Sequence, residues 1–310
     1  MPLVSVVIPT IRRAKLVAQA INSVLVQTVR DFEIIVVIDG QDPETSAALT
    51  LITDRRLRVI QNKISVGPGS ARNAGAAEAR SPWIAFLDDD DAWLPKKLEL
   101  QLAAAGLHEQ RVIVTCLSQV VTPRGLYIWP RRIYDNIAPL DEYLFDRRSL
   151  FSGDTNFHTS SILMPYGLFN EFKFTAEWVH EDWEMLVRAT KIGAARVITV
   201  REPLVIVSME QERESLSTKI AWRDSLSWID RNRTLISRRA YSGFCLTILA
   251  PEAARAGEYA IFFTMLWRAF RLGRPRPMHL LIYIAFGLIP IRWRRHIRSV
   301  WTRTSLTIKT

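Results

Sequence analysis

The sequence is poor in cysteine, and its first residues do not resemble a leader peptide. It has only two cysteines, Cys116 and Cys245, whose separation fits neither a metal site nor a redox motif. A secreted protein stabilised by disulfides would need more of them, so we expect both to be reduced thiols of a cytoplasmic protein. The first residues, MPLVSVVIPT, lack a basic leader, a long apolar stretch and a cleavage site. They predict a β-strand rather than a signal peptide.

Acidic residues are absent from the last part of the chain, after Glu258. Ten basic residues follow that position and equal the whole net charge of +10: Arg268, Arg271, Arg274, Arg276, Arg292, Arg294, Arg295, Arg298, Arg303 and Lys309. Of the 41 basic residues, 31 therefore lie in residues 1–258, which also hold all 31 acidic ones. This balanced part has no general affinity for polyanions, which argues against a nucleic-acid-binding protein.

The chain also lacks an apolar run long enough to cross a membrane. Segment 278–291 has fourteen residues without a charged side chain, which would span about 21 Å as a helix, against roughly 30 Å of bilayer hydrocarbon. Arginines and the residues Trp267, Trp293 and Trp301 flank it. This pattern predicts a segment that lies in the interface of an anionic membrane leaflet. A helix buried in the C-terminal region is the alternative.

What the first hundred residues do contain is an alternation of short β-branched runs and helical stretches. Strands are predicted at 4–8, 33–38, 57–60 and 82–87, and helices at 14–27, 45–53 and 70–79. Such a β-α-β-α-β-α-β order is typical of a parallel sheet with crossover helices. We therefore predict an α/β fold: a Rossmann-like, mostly parallel sheet flanked by helices. The pattern is looser beyond, with strands near 112–116 and 160–164 and helices near 182–192, 226–239 and 253–271.

Polar residues follow three of the predicted strands, at Thr10, Asp39 and 88–91. In open parallel sheets, ligands bind beyond the carboxyl ends of the strands. Four consecutive aspartates repel one another unless a positive group lies between them. A hard divalent cation shared with a diphosphate would neutralise them. An acidic turn that caps the next helix is the alternative.

A second acidic pair, Glu181–Asp182, lies at the start of a predicted helix. Acidic residues are favoured at this end of a helix by its dipole, so a structural role is one interpretation. The other is catalytic, because a carboxylate can take the proton of a weakly nucleophilic hydroxyl. The residues themselves do not decide between the two.

Four segments carry a family resemblance: VSVVIPT, SVLVQT, DFEIIVVIDG and GPGSARNAGAAEARSPWIAFLDDDDAWLPKKLE. Together they resemble family 2 glycosyltransferases with the GT-A fold, closely over about the first hundred residues and more weakly to about residue 210. The resemblance implies a glycosyltransferase domain at 1–215, with a nucleotide-binding half at 1–105 and an acceptor half at 106–215. Residues 216–310 are then a helical C-terminal region that associates with membranes.

The resemblance also implies roles for single residues. Asp90 would bind the metal ion, Mg²⁺ or Mn²⁺, while Asp91 would support the loop. Six residues would bind the nucleotide: Pro9, Thr10, Asp39, Arg72, Asp88 and Asp89. The family usually has a small polar residue where this chain has Asp89.

For the acceptor half, the resemblance implies that Asp182 is the general base of an inverting transfer, with Glu181 beside it. Trp183 would line the acceptor pocket with Glu181, and His158 is a further candidate for contact with the acceptor. The expected function is transfer of a sugar from a nucleoside diphosphate donor, with uridine as the base, to a saccharide or lipid-linked saccharide in cell-surface polysaccharide synthesis. We expect the protein to act at the inner face of the cell membrane, attached through 259–310.

Other functions are less well supported by the sequence. A dehydrogenase needs a glycine-rich turn after its first strand, and a nucleotidyltransferase needs a glycine-rich, basic phosphate loop there. The segment Thr10-Ile11-Arg12-Arg13 is neither. A non-catalytic, membrane-bound scaffold on the same fold is the remaining alternative, and the presence of both Asp90 and Asp182 argues against it.

Overall fold

A computed structural model describes residues 1–106, 110–123, 125–150, 153–176, 178–209 and 222–287. The chain divides into two compact units. The first comprises Met1–Leu140 and Gly153–Thr218, and the second comprises Asp141–Ser152 and Lys219–Thr310. The predicted boundary at 215/216 lies outside the described residues.

The first unit begins with alternating strands and helices: β1 (Val4–Thr10), α1 (Ala14–Leu25), β2 (Phe32–Ile38), α2 (Pro43–Thr50), β3 (Leu57–Gln61), α3 (Pro68–Ala77) and β4 (Trp83–Phe86). All residues of β1, β2 and β4 are buried. Strand β1 pairs in parallel with both β2 and β4, and β2 pairs in parallel with β3. Buried β-branched runs joined by crossover helices give this arrangement.

The unit continues with β5 (Asp91–Trp93), α4 (Lys97–Ala105), β6 (Val112–Thr122), β7 (Gly125–Trp129), β8 (Leu163–Pro165), α6 (Tyr166–Phe172), α7 (Glu181–Lys191) and β9 (Arg196–Ser208). The sheet has nine strands in the order β3-β2-β1-β4-β8-β6-β9-β5, with β7 paired to β6. Only β6 and β9 pair in parallel in this second half, while the pairs β4–β8, β6–β8, β6–β7 and β5–β9 are antiparallel. The prediction of a mostly parallel sheet therefore holds for the first four strands, and the whole sheet is mixed.

Close packing fixes α3 against the sheet and so positions the ligand edge. A Cβ atom placed on Gly75 would lie 2.5 Å from Val7 Cγ1 and 2.8 Å from Val37 Cγ2. Helix α3 thus touches β1 and β2 at a point where only glycine fits. This contact holds Arg72, one turn earlier on the same helix, at the carboxyl ends of the strands.

The second unit is helical in its described part: α5 (Leu140–Phe145, whose first residue belongs to the first unit), α8 (Trp222–Arg231), α9 (Arg238–Phe244), a π-helical turn (Cys245–Leu249), α10 (Ala250–Arg255), α11 (Tyr259–Leu272) and α12 (Pro277–Gly287). Phe145 packs against Trp228 and Phe244. Gly257, with φ of 79°, separates α10 from α11, so the single helix expected at 253–271 is two helices. The expected helix 226–239 is likewise interrupted between Arg231 and Arg238.

Helix α12 covers most of the apolar segment 278–291, of which 288–291 lie outside the described residues. His279, Ile282 and Tyr283 are buried within the second unit, whereas Leu281 and Ile284 are about half exposed. Tyr283 stacks on Phe262 with ring centroids 4.0 Å apart. One face of the segment is therefore packed inside the protein. Across the described ranges, every helix is too short or too polar to traverse a bilayer.

Candidate active site

The four aspartates form a turn between β4 and β5. The backbone N–H of Asp91 donates to the carbonyl of Asp88 (3.1 Å). Ser160 Oγ accepts from the backbone N–H of Asp88 (3.0 Å) and donates to the buried Asp91 carboxylate (2.5 Å). Burial, together with the charge of Asp88, raises the pKa of Asp91 well above its ordinary value. Asp91 and Ser160 thus hold the turn, and the other three carboxylates pair with arginines.

Arg72 links the aspartate turn to the second acidic pair. Its guanidinium is buried and donates to Asp88 Oδ1 (2.5 Å) and to Glu181 Oε1 (3.1 Å). It also lies over the ring of Phe174. Burial alone would lower the pKa of Arg72, but the charges of Asp88 and Glu181 raise it above its ordinary value. The Nε–H of Arg72 is buried and has no hydrogen-bond partner in the structure, which leaves one donor available to a ligand.

Asp89 and Asp90 share the guanidinium of Arg13. Arg13 Nη1 lies 2.8 Å from Asp89 Oδ1 and 3.1 Å from Asp90 Oδ2. The hydroxyl of Thr10 donates to the other oxygen of Asp89 (2.7 Å). Burial raises the pKa of Asp89 to about 6, although Arg13 and Thr10 both favour its ionised form. The structure therefore brings Thr10, Asp89 and Asp90 together, because the parallel strands β1 and β4 end at the same edge of the sheet.

Asp39 organises the loop that leads into α3. Its carboxylate accepts from Asn62 Nδ2 (2.8 Å), Ser65 Oγ (2.8 Å), and the backbone N–H groups of Val66 (3.0 Å) and Gly67 (2.9 Å). These bonds occupy both of its oxygens. The predicted contact of Asp39 with a nucleotide base stays a prediction, and it would require the loop to give up at least one of these bonds.

Asp182 lies beside Glu181 at the start of α7. It accepts from the backbone N–H of Trp183 (2.8 Å) and, at 3.3 Å, from Thr159 Oγ1. Burial raises the pKa of Asp182 to about 7, and the negative charge of Glu181 contributes in the same direction. A carboxylate with a pKa near neutrality is suited to accept and release a proton.

The remaining candidates lie around this core of charges. Trp183 stacks on His180, with ring centroids 4.5 Å apart. His158 lies against Trp129 and within 2.9 Å of Asn156 Nδ2, and burial lowers its pKa to about 4. His158 is therefore neutral at pH 7. Pro9 is buried in β1, where it pairs with Val37 of β2.

The donor atoms of the turn suit a hard divalent cation, although they are not gathered around one point. Within the described ranges, no group of three or more His, Cys, Asp or Glu side chains is arranged to hold a metal ion. The ion pairs described above involve four carboxylates and two guanidiniums: Asp88, Asp89, Asp90 and Glu181 with Arg13 and Arg72. Carboxylate oxygens are the ligands that Mg²⁺ and Mn²⁺ prefer.

Sequence reasoning missed two residues of the site. Arg13 contacts aspartates 76 and 77 positions later in the chain, and Ser160 holds the turn by hydrogen bonds to Asp88 and Asp91. The signal for Arg13 was a basic residue directly after β1, at the same sheet edge as the aspartates. No comparable signal marks Ser160, because its role depends on the antiparallel pairing of β8 with β4.

Several known proteins are similar to this chain in sequence. The chain is 34% identical over 101 residues to the UDP-Glc:alpha-D-GlcNAc-diphosphoundecaprenol beta-1,3-glucosyltransferase WfgD of Escherichia coli, which covers 33% of this chain and 40% of that protein. It is 23% identical to the amylovoran biosynthesis glycosyltransferase AmsB of Erwinia amylovora, over 76% of this chain and 79% of that one. The chain spans only about a fifth of the length of an uncharacterized glycosyltransferase of Rickettsia felis, to which it is 38% identical over 127 residues.

The fold is shared with a solved structure as well. The crystal structure of Staphylococcus aureus TarS 1–349 in complex with UDP-GlcNAc superimposes with a TM-score of 0.55 at 19% identity, over 88% of this chain and 74% of that one. A likeness at this identity shows the fold alone, here the mixed α/β GT-A-like sheet. The sequence model described as "Glycosyl transferase family 2" matches residues 5–172, more than half of the chain. The protein therefore belongs to glycosyl transferase family 2.

Proposed function

We propose that the protein is an inverting glycosyltransferase that moves a sugar from a nucleoside diphosphate donor to a hydroxyl of a saccharide or lipid-linked saccharide. The observation that carries the proposal is the pairing of Arg72 with both Asp88 and Glu181. This arginine joins the aspartate turn, where family members bind the donor, to the acidic pair that contains Asp182. A donor-binding edge and a candidate base thus lie on either side of one guanidinium.

The chemistry follows from these positions. Asp182 accepts the proton of the acceptor hydroxyl while the hydroxyl oxygen forms its bond to the anomeric carbon. The bond from that carbon to the diphosphate oxygen breaks in the same step, and attack from the opposite face inverts the anomeric centre. Arg72 offers a donor to the leaving diphosphate through its unpartnered Nε–H.

The aspartate turn supplies the other half of the site. Asp90 would hold a divalent cation, with Asp88 and Asp89 near the ribose and the water bound to that cation. When bound, such a cation stabilises the negative charge that develops on the leaving diphosphate. Thr10 and Ser160 keep the carboxylates of the turn in place by hydrogen bonds.

Related proteins support the choice of substrates. WfgD is named for a UDP-Glc donor and a diphosphoundecaprenol-linked acceptor, and AmsB for amylovoran biosynthesis. TarS was solved with UDP-GlcNAc. We therefore propose a uridine diphosphate sugar as donor, a lipid-linked saccharide as acceptor, and a role in cell-surface polysaccharide synthesis.

A nucleotide-release screen tests the proposal. Release of UDP would be measured across a panel of UDP-sugars and saccharide acceptors, with Mg²⁺, Mn²⁺ or EDTA, for the wild type, Asp90→Ala and Asp182→Asn. We expect metal-dependent release in the wild type and a loss of at least a hundredfold in both variants. The matched control is Asp31→Asn, an exposed aspartate just before β2. Activity that survives both site substitutions would refute the mechanism.

We further propose that the second unit attaches the enzyme to the inner face of the cell membrane. Four aromatic side chains of α11, Tyr259, Phe263, Trp267 and Phe270, are each more than half exposed. Their spacings of four, four and three residues place them on one face of the helix. The chain after Glu258 has basic residues and no acidic ones. An aromatic stripe in a basic region fits the interface of an anionic bilayer.

Vesicle sedimentation with the full-length protein tests this attachment. Phe263→Ser together with Trp267→Ser should lower the partition coefficient onto phosphatidylglycerol vesicles by about tenfold or more, because two aromatic side chains lose their contact with the interface. The control is Leu51→Ser, which removes a still more exposed apolar side chain from the first unit. Equal pelleting of all three proteins would rule out this face.

A further inference from the structure

A 3-10 turn of three consecutive hydroxyl residues, Thr159–Ser161, contacts both acidic parts of the site. All three residues of this hydroxyl turn are buried. A buried hydroxyl is costly unless it is hydrogen-bonded, so the partner of each one indicates its role. The three hydroxyls have three different sets of partners, although they are neighbours in the chain.

The backbone of the hydroxyl turn is held by two buried side chains. Trp93 Nε1 donates to the carbonyl of Ser160 (2.8 Å), and Gln101 Nε2 donates to the carbonyl of Ser161 (2.7 Å). Gln101 is oriented in turn by the buried Lys97, which donates to Gln101 Oε1 (2.6 Å). These bonds end on main-chain oxygens of the hydroxyl turn. Removal of a single hydroxyl therefore leaves them in place.

Ser160 faces the donor side of the site. Its hydroxyl accepts from the backbone N–H of Asp88 (3.0 Å) and donates to the carboxylate of Asp91 (2.5 Å). It thus closes the first and the last residue of the aspartate turn, whose carboxylates are proposed to meet the donor. Without this hydroxyl, a buried carboxylate oxygen and a backbone N–H would each lose a partner, which is costly.

Thr159 faces the acceptor side of the site. Its hydroxyl donates to Asp182 Oδ2 at 3.3 Å, while Asp182 Oδ1 accepts from the backbone N–H of Trp183 (2.8 Å). One bond comes from within α7, and the other ties the carboxylate to a separate element. The usual O–H···O distance is about 2.7 to 2.8 Å, and hydrogen bonds of catalytic groups are often long until the substrate is bound.

The charges around Asp182 do not by themselves fix its orientation. Glu181 and Asp88 repel its carboxylate, and Arg72 attracts it. Arg72, however, donates through Nη1 to Glu181 and through Nη2 to Asp88. Its attraction stabilises the charge of Asp182 but does not set the direction of either oxygen. The hydroxyl of Thr159 supplies a direction for Oδ2.

We propose that Thr159 is a positioning residue for Asp182, and that the hydroxyl turn aligns the base with the donor. The alignment arises because Thr159 and Ser160 are adjacent in one buried segment and hold the two halves of the site through separate hydroxyls. This inference rests on the proposed function, in which Asp182 is the base. The two hydroxyls then affect different quantities: Thr159 affects the rate of transfer, and Ser160 affects the binding of the donor.

Kinetics and binding of single variants test the proposal. The values of kcat and KM would be measured by UDP release with the substrate pair identified in the nucleotide-release screen, and UDP binding by titration calorimetry with Mg²⁺ present. Thr159→Val keeps the shape but not the hydroxyl, so it should lower kcat about tenfold and leave UDP affinity within about twofold. Thr159→Ser restores the hydroxyl and should keep kcat within about threefold of the wild type. Ser160→Ala should weaken UDP binding about tenfold.

The matched control is Ser161→Ala, in the third residue of the same turn. The hydroxyl of Ser161 bonds to Thr115 Oγ1 (2.7 Å) and to the carbonyl of His158 (2.7 Å), so kcat and UDP affinity should stay within about twofold of the wild type. Equal losses of kcat in Thr159→Val and Ser161→Ala would indicate a general loosening of the turn and would overturn the proposal. Thermal melts show whether each variant is folded.

A double-mutant cycle in urea unfolding tests the contact without any turnover. Thr159→Val should lower the free energy of unfolding of the wild type but not that of Asp182→Ala, which lacks the acceptor of the bond. Equal losses in both backgrounds would refute the positioning role.

The failure of this inference differs from the failure of the proposed function. An inactive Asp182→Asn beside a fully active Thr159→Val would refute the positioning role and leave the mechanism standing. Full activity of Asp182→Asn would overturn the mechanism, and the positioning role with it. Unchanged UDP binding by Ser160→Ala would refute the alignment of base and donor by the hydroxyl turn.

Discussion

Replacing Asp182 by asparagine should inactivate the enzyme and, above pH 7, make it more stable. The carboxylate is placed where burial and the charge of Glu181 raise its pKa to about 7. A base at this position favours catalysis but is unfavourable for folding once it is ionised. The asparagine keeps the shape of the side chain and can still accept a hydrogen bond from the backbone N–H of Trp183.

The magnitude follows from the two pKa values. The unfolded chain loses this proton near the ordinary value of 3.8, whereas the folded protein keeps it up to about 7. Between these values ionisation favours the unfolded chain, so the wild type loses stability as the pH rises through this window. From pH 5 to pH 8 the loss is roughly 2 to 3 kcal/mol, at about 1.4 kcal/mol per pH unit up to pH 7. The asparagine variant has no ionisable group at this position and does not lose this stability.

The assay combines activity with urea unfolding. We expect kcat of the wild type to rise with pH and level off above about pH 7, and kcat of Asp182→Asn to fall by a factor of roughly 10² to 10⁴. The free energy of unfolding of the variant should exceed that of the wild type by roughly 2 kcal/mol more at pH 8 than at pH 5. Asp31→Asn, an exposed position, should change neither quantity.

Two results would contradict this reasoning. A stability difference between Asp182→Asn and the wild type that is the same at pH 5 and pH 8 would mean that the pKa of Asp182 is not raised. Retention of more than a tenth of the wild-type kcat would mean that another group accepts the proton.

Two further predictions concern the frame of the site. Lys97 is buried and donates to Gln101 Oε1, and burial lowers its pKa to about 7. Because the unfolded chain keeps this proton to higher pH, the wild type gains stability as the pH rises above 7. The stability gained by Lys97→Met in urea unfolding should therefore be larger at pH 6 than at pH 9, by roughly 2 kcal/mol. A stability gain independent of pH would contradict it. Gly75→Ala should destabilise by about 1 to 3 kcal/mol, because its Cβ would meet Val7 and Val37. The helical control Gly167→Ala, with open space around the new atom, should be neutral or stabilising, and equal losses in both variants would argue against the packing explanation.

The first half of the fold could be predicted from the sequence because its signals are local. The predicted strand 33–38 is Phe32–Ile38 in the structure, and the predicted helix 70–79 is Pro68–Ala77. Apolar runs that end at glycine, proline or aspartate fix such elements within a few residues. The position of the ligand edge could be predicted from these elements, since parallel strands end on the same side of the sheet.

The second half was less predictable because tertiary contacts decide it. The expected strand 160–164 is a short 3-10 turn, Thr159–Ser161, followed by the three-residue strand β8. Its pairing with β4 and β6 is antiparallel, which no local pattern indicates. The contacts of Ser160 with the aspartate turn depend on this pairing. Those of Arg13 join residues 76 and 77 positions apart in the chain.

The short segment 141–152 has a practical consequence for protein engineering. It interrupts the first unit in sequence but belongs to the second, where Phe145 packs on Trp228 and the buried Asp146 lies against His279 and Arg276. Truncation of the chain near residue 218 would leave Phe145 and Asp146 without their partners. A minimal catalytic fragment therefore requires two edits, removal of the C-terminal helices and replacement of 141–152 by a short polar linker.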